Sequence, residues 1–547
     1  MGLKLVSTIT MGILSAFVFV IIFAINMFGE FNGGIWVMIG LIIIFNVLIW
    51  LIAPFISDLM YRWFYKASWI SIDELAKESP KTSELIKKIC EENNIKIPKL
   101  GMIADENPTA FTYGSGKWNA RIIISHGIVT HLLDEERASV YAHELGHIKN
   151  NDFIIMTIAS TLLQILYEIY IVFAKNQKSS GGNSKSKDKL AFIGLISYVF
   201  YFIGQYILLY LSRVREYFAD EFSAKYINPN ILSDALIKIA YGILITPANN
   251  RLVNSTKFIG IANEKMAKGI GMLYYNVGQD DTNELIEKSF LYDLKNPWAS
   301  INEFFSTHPL TGKRIGRLMS LTSTPKYDIK AIEEKFPVDR EKLYAGFGKD
   351  LAILSTTTLL PIIFAIISTI IFYGEVYVFT MLLPSFLIGY GIAILIKTFW
   401  AYPNHIEGQN KTTVLELMSD LYASPVKGKS VSLSGTIIGK GDPGYMFSED
   451  VMLKDSTGLM HLDYQSKIPL IGNLIFSLTK VKQFMGQQIT TSGWFLRGVS
   501  HYTVVDKMHT DDGSIKANGG VKFWGTFMGI TFIIIGIGIS ILLISNG

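Results

Sequence analysis

The chain has 547 residues, half of them hydrophobic and only 18% charged, whereas about 25% of the residues of ordinary soluble domains are charged. This balance excludes a purely soluble enzyme and a disordered chain. The formal net charge of +4 is too small to indicate a nucleic-acid partner, and none is predicted. The single cysteine, Cys90, excludes an intramolecular disulfide and a cysteine-based metal site, so histidines and carboxylates must bind any metal.

Seven stretches reach the length of about 20 apolar residues that an α-helix needs to cross the hydrocarbon core of a bilayer. The first is too long for the apolar part of a signal peptide and a second span soon follows, so it is predicted to remain as a signal anchor. The predicted spans are 5–28, 34–56, 153–174, 190–211, 351–373, 376–396 and 523–544.

The spans divide the chain into membrane hairpins and soluble segments. Because a hairpin returns the chain to the side that it left, the soluble segments are predicted to share one compartment. The predicted division is a hairpin at 1–56, a soluble segment at 57–152, a hairpin at 153–211, a soluble segment at 212–350, a hairpin at 351–398, a domain at 400–520 and an anchor at 523–547.

The charges beside the spans indicate where this compartment lies. The loops 29–33 and 374–375 carry no lysine or arginine, whereas the other ends of the spans carry Arg62, Lys66, Lys149, Arg213 and Arg215. By the positive-inside rule, the chain is predicted to be a multi-pass protein of the cell membrane whose soluble segments face the cytoplasm. One loop disagrees, because 175–189 carries five lysines and would lie outside.

The segment 400–520 has the pattern of a small β domain. Three predicted strands, an apolar helical segment at 468–481 and two further strands follow one another, which matches the order of an OB-like barrel. Any other small β domain remains an alternative. The strand candidates are 430–439, 446–454, 458–464, 487–496 and 502–506. No basic, aromatic-rich face is visible, so a structural or regulatory role is favoured, and the domain is expected to be dispensable for catalysis.

The strongest chemical signal is the sequence His143-Glu144-Leu145-Gly146-His147, in a stretch of helical character at 134–151. Residues four apart lie on one face of a helix, so both imidazoles can bind the same metal ion. Glu144 lies one step round the helix, where it can accept a proton from a water that the metal activates for attack on a peptide carbonyl. The pattern predicts a metallopeptidase, and two incidental histidines on a helix are the alternative.

His143 and His147 leave a catalytic zinc one protein ligand short, because such sites use three protein ligands and a water. Glu216 and Asp220 follow the fourth span and lie four residues apart, again on one helical face. Glu216 can complete a His₂Glu site, and Asp220 can orient a ligand imidazole through its second ring nitrogen. Both halves of the site are close in sequence to a span, so we expect the site near one membrane surface.

The sequence His-Glu-x-x-His, followed some seventy residues later by Arg-x-x-Glu-x-x-Ala-Asp, resembles the HtpX family of integral-membrane zinc endopeptidases and their CAAX prenyl protease relatives. The resemblance covers about residues 1–320 and extends to Ala-Phe-Thr-Tyr-Gly at 110–114 and to Ser-Thr-His-Pro at 306–309. It implies that His308 and Arg314 line the active site and stabilise the oxyanion. It also implies a zinc cofactor, and one Zn²⁺ per chain is predicted.

The predicted fold class is an α-helical multi-pass membrane protein of about seven spans, with a mainly helical, zincin-like catalytic domain formed by 57–152 and 212–350 and a small C-terminal β domain. The predicted function is a membrane-embedded zinc endopeptidase that cleaves membrane proteins or unfolded polypeptides. A role in membrane-protein quality control is what the resemblance implies. Two alternatives are a CAAX-type prenyl-protein endoprotease and a non-catalytic metal-binding membrane scaffold.

Two further features have two interpretations each. The strand predicted at 121–125 is either an edge that binds an extended substrate or an ordinary buried strand. Gln164 and Glu168 in the third span and Gln205 in the fourth either line a polar path toward the metal or form hydrogen bonds between the spans.

Overall fold

Long α-helices dominate the computed structural model, which describes residues 2–28, 34–175, 184–245, 283–374, 378–404, 410–440, 450–468, 471–498, 501–510, 513 and 516–546. Seven of the described helices are long and apolar enough to cross a membrane, which confirms the predicted number of spans. They run over Leu3–Met27, Gly34–Phe64, Asp152–Ala174, Asp188–Ala224, Arg340–Ile371, Leu382–Ala401 and Val521–Ser545. The loops 29–33 and 176–183, which entered the prediction of orientation, lie outside the described residues.

The described residues form two compact units. The first comprises those at 1–267 and 301–326, and the second comprises those at 268–300 and 327–547. The second unit therefore includes the segment 283–300, although in sequence this segment lies between Glu216 and His308. The seven-part division of the chain that the spans predict stays a prediction.

Four spanning helices in the first unit enclose an apolar core. They are α1 (Leu3–Phe28), α2 (Gly34–Phe64), α7 (Asp152–Tyr170, continued by a π-helical turn at Ile171–Lys175) and α8 (Ser184–Ala224). Isoleucine and leucine side chains fill the core, among them Leu14, Ile21, Ile25, Leu163, Leu166 and Ile169. Between α2 and α7, Asn46 Nδ2 donates a hydrogen bond to Gln164 Oε1 at 2.9 Å. An unpaired amide in hydrocarbon is costly, so this contact favours the interhelical hydrogen-bonding interpretation of Gln164.

The soluble part of the first unit is a four-stranded sheet covered by helices. Strands β1 (Ser68–Ile70), β2 (Lys99–Ile103), β3 (Ala110–Tyr113) and β4 (Arg121–Ser125) pair in the order β1-β2-β4-β3, with β2 and β4 parallel. Helices α3 (Ile72–Glu78), α4 (Pro80–Glu92), α5 (His126–His131), α6 (Asp134–Asn150), α9 (Pro229–Ile245) and α12 (Thr311–Met319) complete it. The strand β4 is interior and buried along its length, so the edge interpretation of 121–125 is wrong and β3 forms that edge of the sheet.

Asp58, near the end of α2, joins the second span to this sheet. Its carboxylate accepts hydrogen bonds from the Tyr113 hydroxyl at 2.8 Å and from Arg121 Nε at 3.0 Å and Nη2 at 3.1 Å. Tyr113 ends β3 and Arg121 begins β4, so one partly buried carboxylate fixes both strands to the membrane helix. Charge-assisted bonds of this kind are stronger than neutral ones.

The second unit contains a five-stranded β barrel. Strands β5 (Lys429–Lys440), β6 (Val451–Lys454), β7 (Leu459–Asp463), β8 (Gln488–Arg497) and β9 (His501–Thr510) close in the order β5-β6-β7-β9-β8-β5, and β10 (Lys516–Asn518) pairs with β9. Helices α17 (Ile471–Ile475) and α18 (Val481–Phe484), joined by a π-helical turn at Phe476–Lys480, separate β7 from β8. A barrel with a helical segment after its third strand is what the OB-like interpretation predicts. The first residues of the strand predicted at 446–454 lie outside the described residues.

Helices complete the second unit, and one of them is fastened to the barrel. They are α10 (Asn283–Lys295), α11 (Pro297–Phe304, which begins in this unit), α13 (Ile329–Lys335), α14 (Arg340–Ile371), α15 (Leu382–Ala401), α16 (Val414–Met418) and α19 (Val521–Asn546). The guanidinium of Arg497 in β8 lies 3.8 Å from the ring centroid of Tyr292 in α10. The Tyr292 hydroxyl donates to the Arg497 carbonyl at 2.8 Å, and Arg497 Nη2 donates to the Ser289 carbonyl at 3.2 Å. A buried cation is costly unless it is bonded in this way.

A chain that ends near Gly348 tests this attachment. It lacks the barrel, so the buried Tyr292 and Ser289 in α10 lose their partner Arg497, while all three predicted metal ligands remain in the first unit. We expect such a chain to bind zinc but to be cut by added protease within 283–300, where the full-length protein is protected. Limited proteolysis with mass spectrometry and a zinc assay measure both. If protease spared 283–300 equally in the two chains, the barrel would not be needed to hold this segment in place, and the prediction would be wrong.

Candidate active site

Helix α6 carries the sequence His143-Glu144-Leu145-Gly146-His147 and has clear start and stop signals. Three acidic residues at 134–136 occupy its first turn, where the helix dipole favours negative charge. The helix is followed by Asn151, which adopts the left-handed backbone conformation with φ of 59° that asparagine tolerates better than most residues. The helical stretch predicted at 134–151 is therefore present, and both histidines lie on its buried face.

Helix α8 carries the second half of the site. It runs without a break from the fourth span through Glu216 to Asp220. It packs closely on α6 at a pair of small residues, because a Cβ atom on Gly146 would lie 3.0 Å from Ala219 Cα. Small residues at a crossing point let two helices approach, and here the approach brings Glu216 within reach of the histidines.

His143, His147 and Glu216 converge on one point. Nε2 of His143 lies 3.5 Å from Oε2 of Glu216, and Nε2 of His147 lies 3.5 Å from Oε1 of the same carboxylate. Ligands at about 2.1 Å from a tetrahedral zinc are about 3.4 Å apart, which is close to both distances. All three residues are buried, and neither His143 Nε2 nor Glu216 Oε2 has a hydrogen-bond partner among the described residues. Buried polar atoms are rarely left unpaired, so these residues fit a zinc ion.

Asp220 and Arg314 support His143 on the side away from this group. Nδ1 of His143 lies 2.9 Å from Oδ1 of Asp220, and Arg314 in α12 donates to the two oxygens of that carboxylate at 2.8 and 2.7 Å. Burial by itself lowers the pKa of His143, but the carboxylates of Asp220 and Glu216 outweigh burial and raise the pKa to about 9. The surroundings of this imidazole thus favour a positive charge, which a bound cation supplies.

His147 has a corresponding support that the sequence analysis missed. Its Nδ1 donates to Oδ2 of Asp152 at 2.6 Å, and Asp152 is buried at the first position of α7. Nη1 of Arg215 lies 3.6 Å from the same oxygen. The left-handed turn at Asn151 lets Asp152 face a histidine five residues earlier. The signal available in the sequence was a carboxylate at the very start of a spanning helix, where a charge is costly without a role.

Glu144 and His308 lie beside the metal group. Burial raises the pKa of the Glu144 carboxyl above its usual range, although the neighbouring His143 and His147 oppose this shift. Nε2 of His308 lies 3.9 Å from Oε1 of Glu216, and its Nδ1 lies 2.9 Å from the Thr307 hydroxyl. Burial lowers the pKa of His308, so this imidazole is neutral at neutral pH.

The first unit brings all of the predicted site residues into one cluster, with the edge strand beside it. These residues are His143, Glu144, His147, Glu216, Asp220, His308 and Arg314. Across the described ranges, His143, His147 and Glu216 form the one group of three side chains with metal-ligand spacing. Strand β3, at the edge of the sheet, contacts α6. The catalytic roles of the cluster stay predictions.

Comparison with known proteins identifies the family. A model of peptidase family M48 matches residues 76–322, a range that contains the whole cluster. A protease HtpX homolog of Pyrococcus abyssi is 28% identical over 326 residues, which are 59% of this chain and 97% of that protein. A protease HtpX homolog of Aquifex aeolicus is 31% identical over 257 residues, which are 45% of this chain and 72% of that protein.

Among solved structures, the crystal structure of S. mikatae Ste24p is similar at 17% identity and a TM-score of 0.33, over 58% of this chain and 65% of that chain. This similarity is too low to establish a common fold. The family match, the two relatives and the buried His₂Glu group agree with one another. The chain belongs to peptidase family M48 and is a membrane-spanning zinc metallopeptidase.

Proposed function

We propose that this chain is a zinc endopeptidase that cleaves membrane proteins or unfolded polypeptides at the cytoplasmic face of the cell membrane, in membrane-protein quality control. One observation carries the proposal. The buried group of His143, His147 and Glu216 lies where α6 meets the spanning helix α7 and where α8 continues past the apolar stretch 190–211. A peptidase site in that position is suited to polypeptide that emerges from, or lies on, the membrane.

Three side chains hold the metal and a fourth moves the proton. We assign His143, His147 and Glu216 as the ligands of one Zn²⁺ per chain, which when bound polarises the peptide carbonyl and activates a water. Glu144 takes the proton of the attacking water and passes it to the leaving nitrogen. Burial supports this role because it raises the pKa of Glu144 toward the working pH, where a general base is most effective.

His308 is assigned as a hydrogen-bond donor to the oxygen that gains negative charge when the carbonyl is attacked. Its Nδ1 lies beside the Thr307 hydroxyl, and when that hydroxyl donates, the ring proton is on Nε2, which faces the metal group. The resemblance also implies an oxyanion role for Arg314, which stays a prediction. Because two of its nitrogens bind Asp220, the geometry favours Arg314 as a residue that positions Asp220 and, through it, His143.

The edge strand β3 supports an extended polypeptide as substrate. An edge strand can pair with a second chain through backbone hydrogen bonds, which requires that chain to be unfolded locally. Damaged or misfolded membrane proteins expose such segments. A CAAX-type substrate also presents an extended end, so the edge strand does not distinguish the two kinds of substrate. An experiment separates them. Cleavage of an unfolded membrane protein without a prenyl group, in detergent, favours the endopeptidase proposed here, and cleavage confined to prenylated chains overturns it.

Glu144→Gln tests the general base. Glutamine cannot accept the proton, whereas the three ligands remain, so we expect cleavage to fall by about 10²–10⁴-fold with zinc still bound. Cleavage of an unfolded polypeptide and zinc content are the measurements. Glu135→Gln, an exposed change in the same helix, is the control and should keep full activity. If the Glu144→Gln protein kept more than about a tenth of the original activity, Glu144 would not be the general base.

Alanine at His143, His147 or Glu216 tests the ligand set. Removing one of three ligands leaves a site that cannot hold a catalytic zinc, so zinc content and cleavage should both be lost. His126→Ala serves as the control, because His126 is exposed and its imidazole pairs with Glu106. If Glu216→Ala retained full zinc and activity, the third ligand would have to be another residue.

Alanine at Asp152 or Asp220 tests the two residues that position the histidines. Each carboxylate fixes the ring of one ligand, so each change should weaken zinc binding about 10–100-fold. Competition with a chelator of known affinity measures this weakening independently of cleavage. Asp73→Ala, in an exposed helix of the same unit, is the control. Unchanged zinc affinity in Asp152→Ala would show that the 2.6 Å contact to His147 has no positioning role.

A further inference from the structure

The helical segment between β7 and β8 carries an apolar face that is exposed. The segment comprises α17, the π-helical turn at Phe476–Lys480 and α18, which together run over 471–484. Four of its large apolar side chains are between 44% and 66% exposed, which is unusual for a domain that lies outside the spanning helices. These four side chains, called the outer face from here on, are Ile471, Leu474, Ile475 and Leu478.

The opposite face of the segment is packed firmly on the second unit. Phe476, Val481 and Phe484 are each at most 3% exposed, and the ring of Phe476 stacks on the ring of Tyr464 with centroids 3.7 Å apart. The positions 471, 474, 475 and 478 have the spacing of one side of a helix. The outer face is therefore a continuous apolar surface on a segment that is itself held in place.

The chain just before the segment is bonded to the start of the spanning helix α19. The indole nitrogen of Trp524 donates a hydrogen bond to the carbonyl of Lys467 at 2.8 Å, and the backbone nitrogen of Gly520 donates to the carbonyl of Gln465 at 2.5 Å. Trp524 lies in the first turn of α19, and tryptophan is typical of the boundary between hydrocarbon and water. These contacts place the start of the segment at the level where a spanning helix enters the membrane.

The charges near the outer face suit the surface of a bilayer. The sequence contains no aspartate or glutamate between 464 and 505, and the lysines beside the segment are Lys467, Lys480 and Lys482. A carboxylate would be repelled by a negatively charged membrane surface, whereas lysine can lay its apolar stem on the membrane and extend its charge to the headgroups. An exposed apolar face bordered by lysines is typical of helices that lie in the plane of the interface.

We propose that the outer face inserts into the interfacial region of the lipid bilayer beside α19. The β barrel then binds the membrane surface through this segment, in addition to the spanning helices that precede and follow it in the chain. Large exposed apolar patches mark contacts with membranes or with other proteins. The bonds between Lys467 and α19 favour lipid, because they hold the outer face where lipid is present.

A spin label on the outer face reports what covers it in the full-length protein, reconstituted in vesicles of phosphatidylcholine and phosphatidylglycerol. The label is attached at Leu474→Cys after Cys90, the single cysteine, is replaced by alanine. Ser456→Cys is the matched control, because Ser456 is exposed and precedes β7, at the opposite end of that strand from Lys467. The measurement compares collisions of the label with oxygen, which concentrates in the bilayer, and with a nickel chelate, which stays in water.

We expect the ratio of oxygen to nickel collisions at Leu474→Cys to be at least about fivefold higher than at Ser456→Cys, because interfacial helices bury their apolar face about 5–10 Å into the boundary of headgroups and acyl chains. Equal ratios at the two sites would place the outer face in water and overturn the proposal. Few collisions with either reagent at Leu474→Cys would mean that protein, such as a second copy of the chain, covers this face, which also overturns it.

A second labelled site covers the case in which Leu474→Cys does not fold, which thermal unfolding detects. Leu478→Cys, on the same face, should give the same high ratio. Ile471→Asn combined with Ile475→Asn should lower the ratio at Leu478→Cys at least about twofold, because binding scales with buried apolar area. Ile97→Asn, a change at an exposed isoleucine of the first unit, is the control and should leave the ratio unchanged. Equal ratios with and without the two asparagines would contradict the insertion of this face.

The Glu144→Gln variant separates this proposal from the proposed function. The segment belongs to the second unit and the metal group to the first, so the ratios should be the same with and without the general base. Contact with the membrane and cleavage are therefore measured separately, and failure of this proposal leaves the peptidase assignment untouched.

Discussion

The site depends on keeping four carboxylates buried close to two histidines. Glu144, Asp152, Glu216 and Asp220 are all buried in the first unit, and a buried charge without compensation is strongly unfavourable. Arg314 compensates Asp220 directly, but Nε2 of His143 and Oε2 of Glu216 have no hydrogen-bond partner among the described residues. A divalent cation balances this charge, so metal binding is expected to contribute to the stability of the fold as well as to the chemistry.

The same geometry depends on packing inside the membrane. The helix with the histidines continues, after one left-handed residue, into the span α7, and the helix with Glu216 is the direct continuation of the span α8. Apolar side chains of α1, α7 and α8 pack into one core, and the small pair Gly146 and Ala219 sets the approach of α6 to α8. The two halves of the site are thus brought together by helices whose positions the bilayer constrains.

Local patterns in the sequence predict much of this arrangement, since helical spacing places His143, His147 and Glu216 and apolar length identifies the spans. Features that depend on a special backbone conformation or on distant contacts escape such patterns. Asp152 faces His147 because Asn151, between the two helices, adopts the left-handed conformation. The edge of the sheet is β3 and not β4 because strand order is set by non-local pairing. The attachment of α10 to the barrel joins residues 205 positions apart, for which no periodicity gives a signal.

X-ray absorption at the zinc edge of the purified full-length protein identifies the atoms around the metal without a substrate or a variant. We expect about one zinc per chain, with two imidazole nitrogens at about 2.0–2.1 Å and oxygen neighbours at about 2.0–2.2 Å. An active protein with no bound zinc, or a zinc whose surroundings contain fewer than two imidazoles, would contradict it.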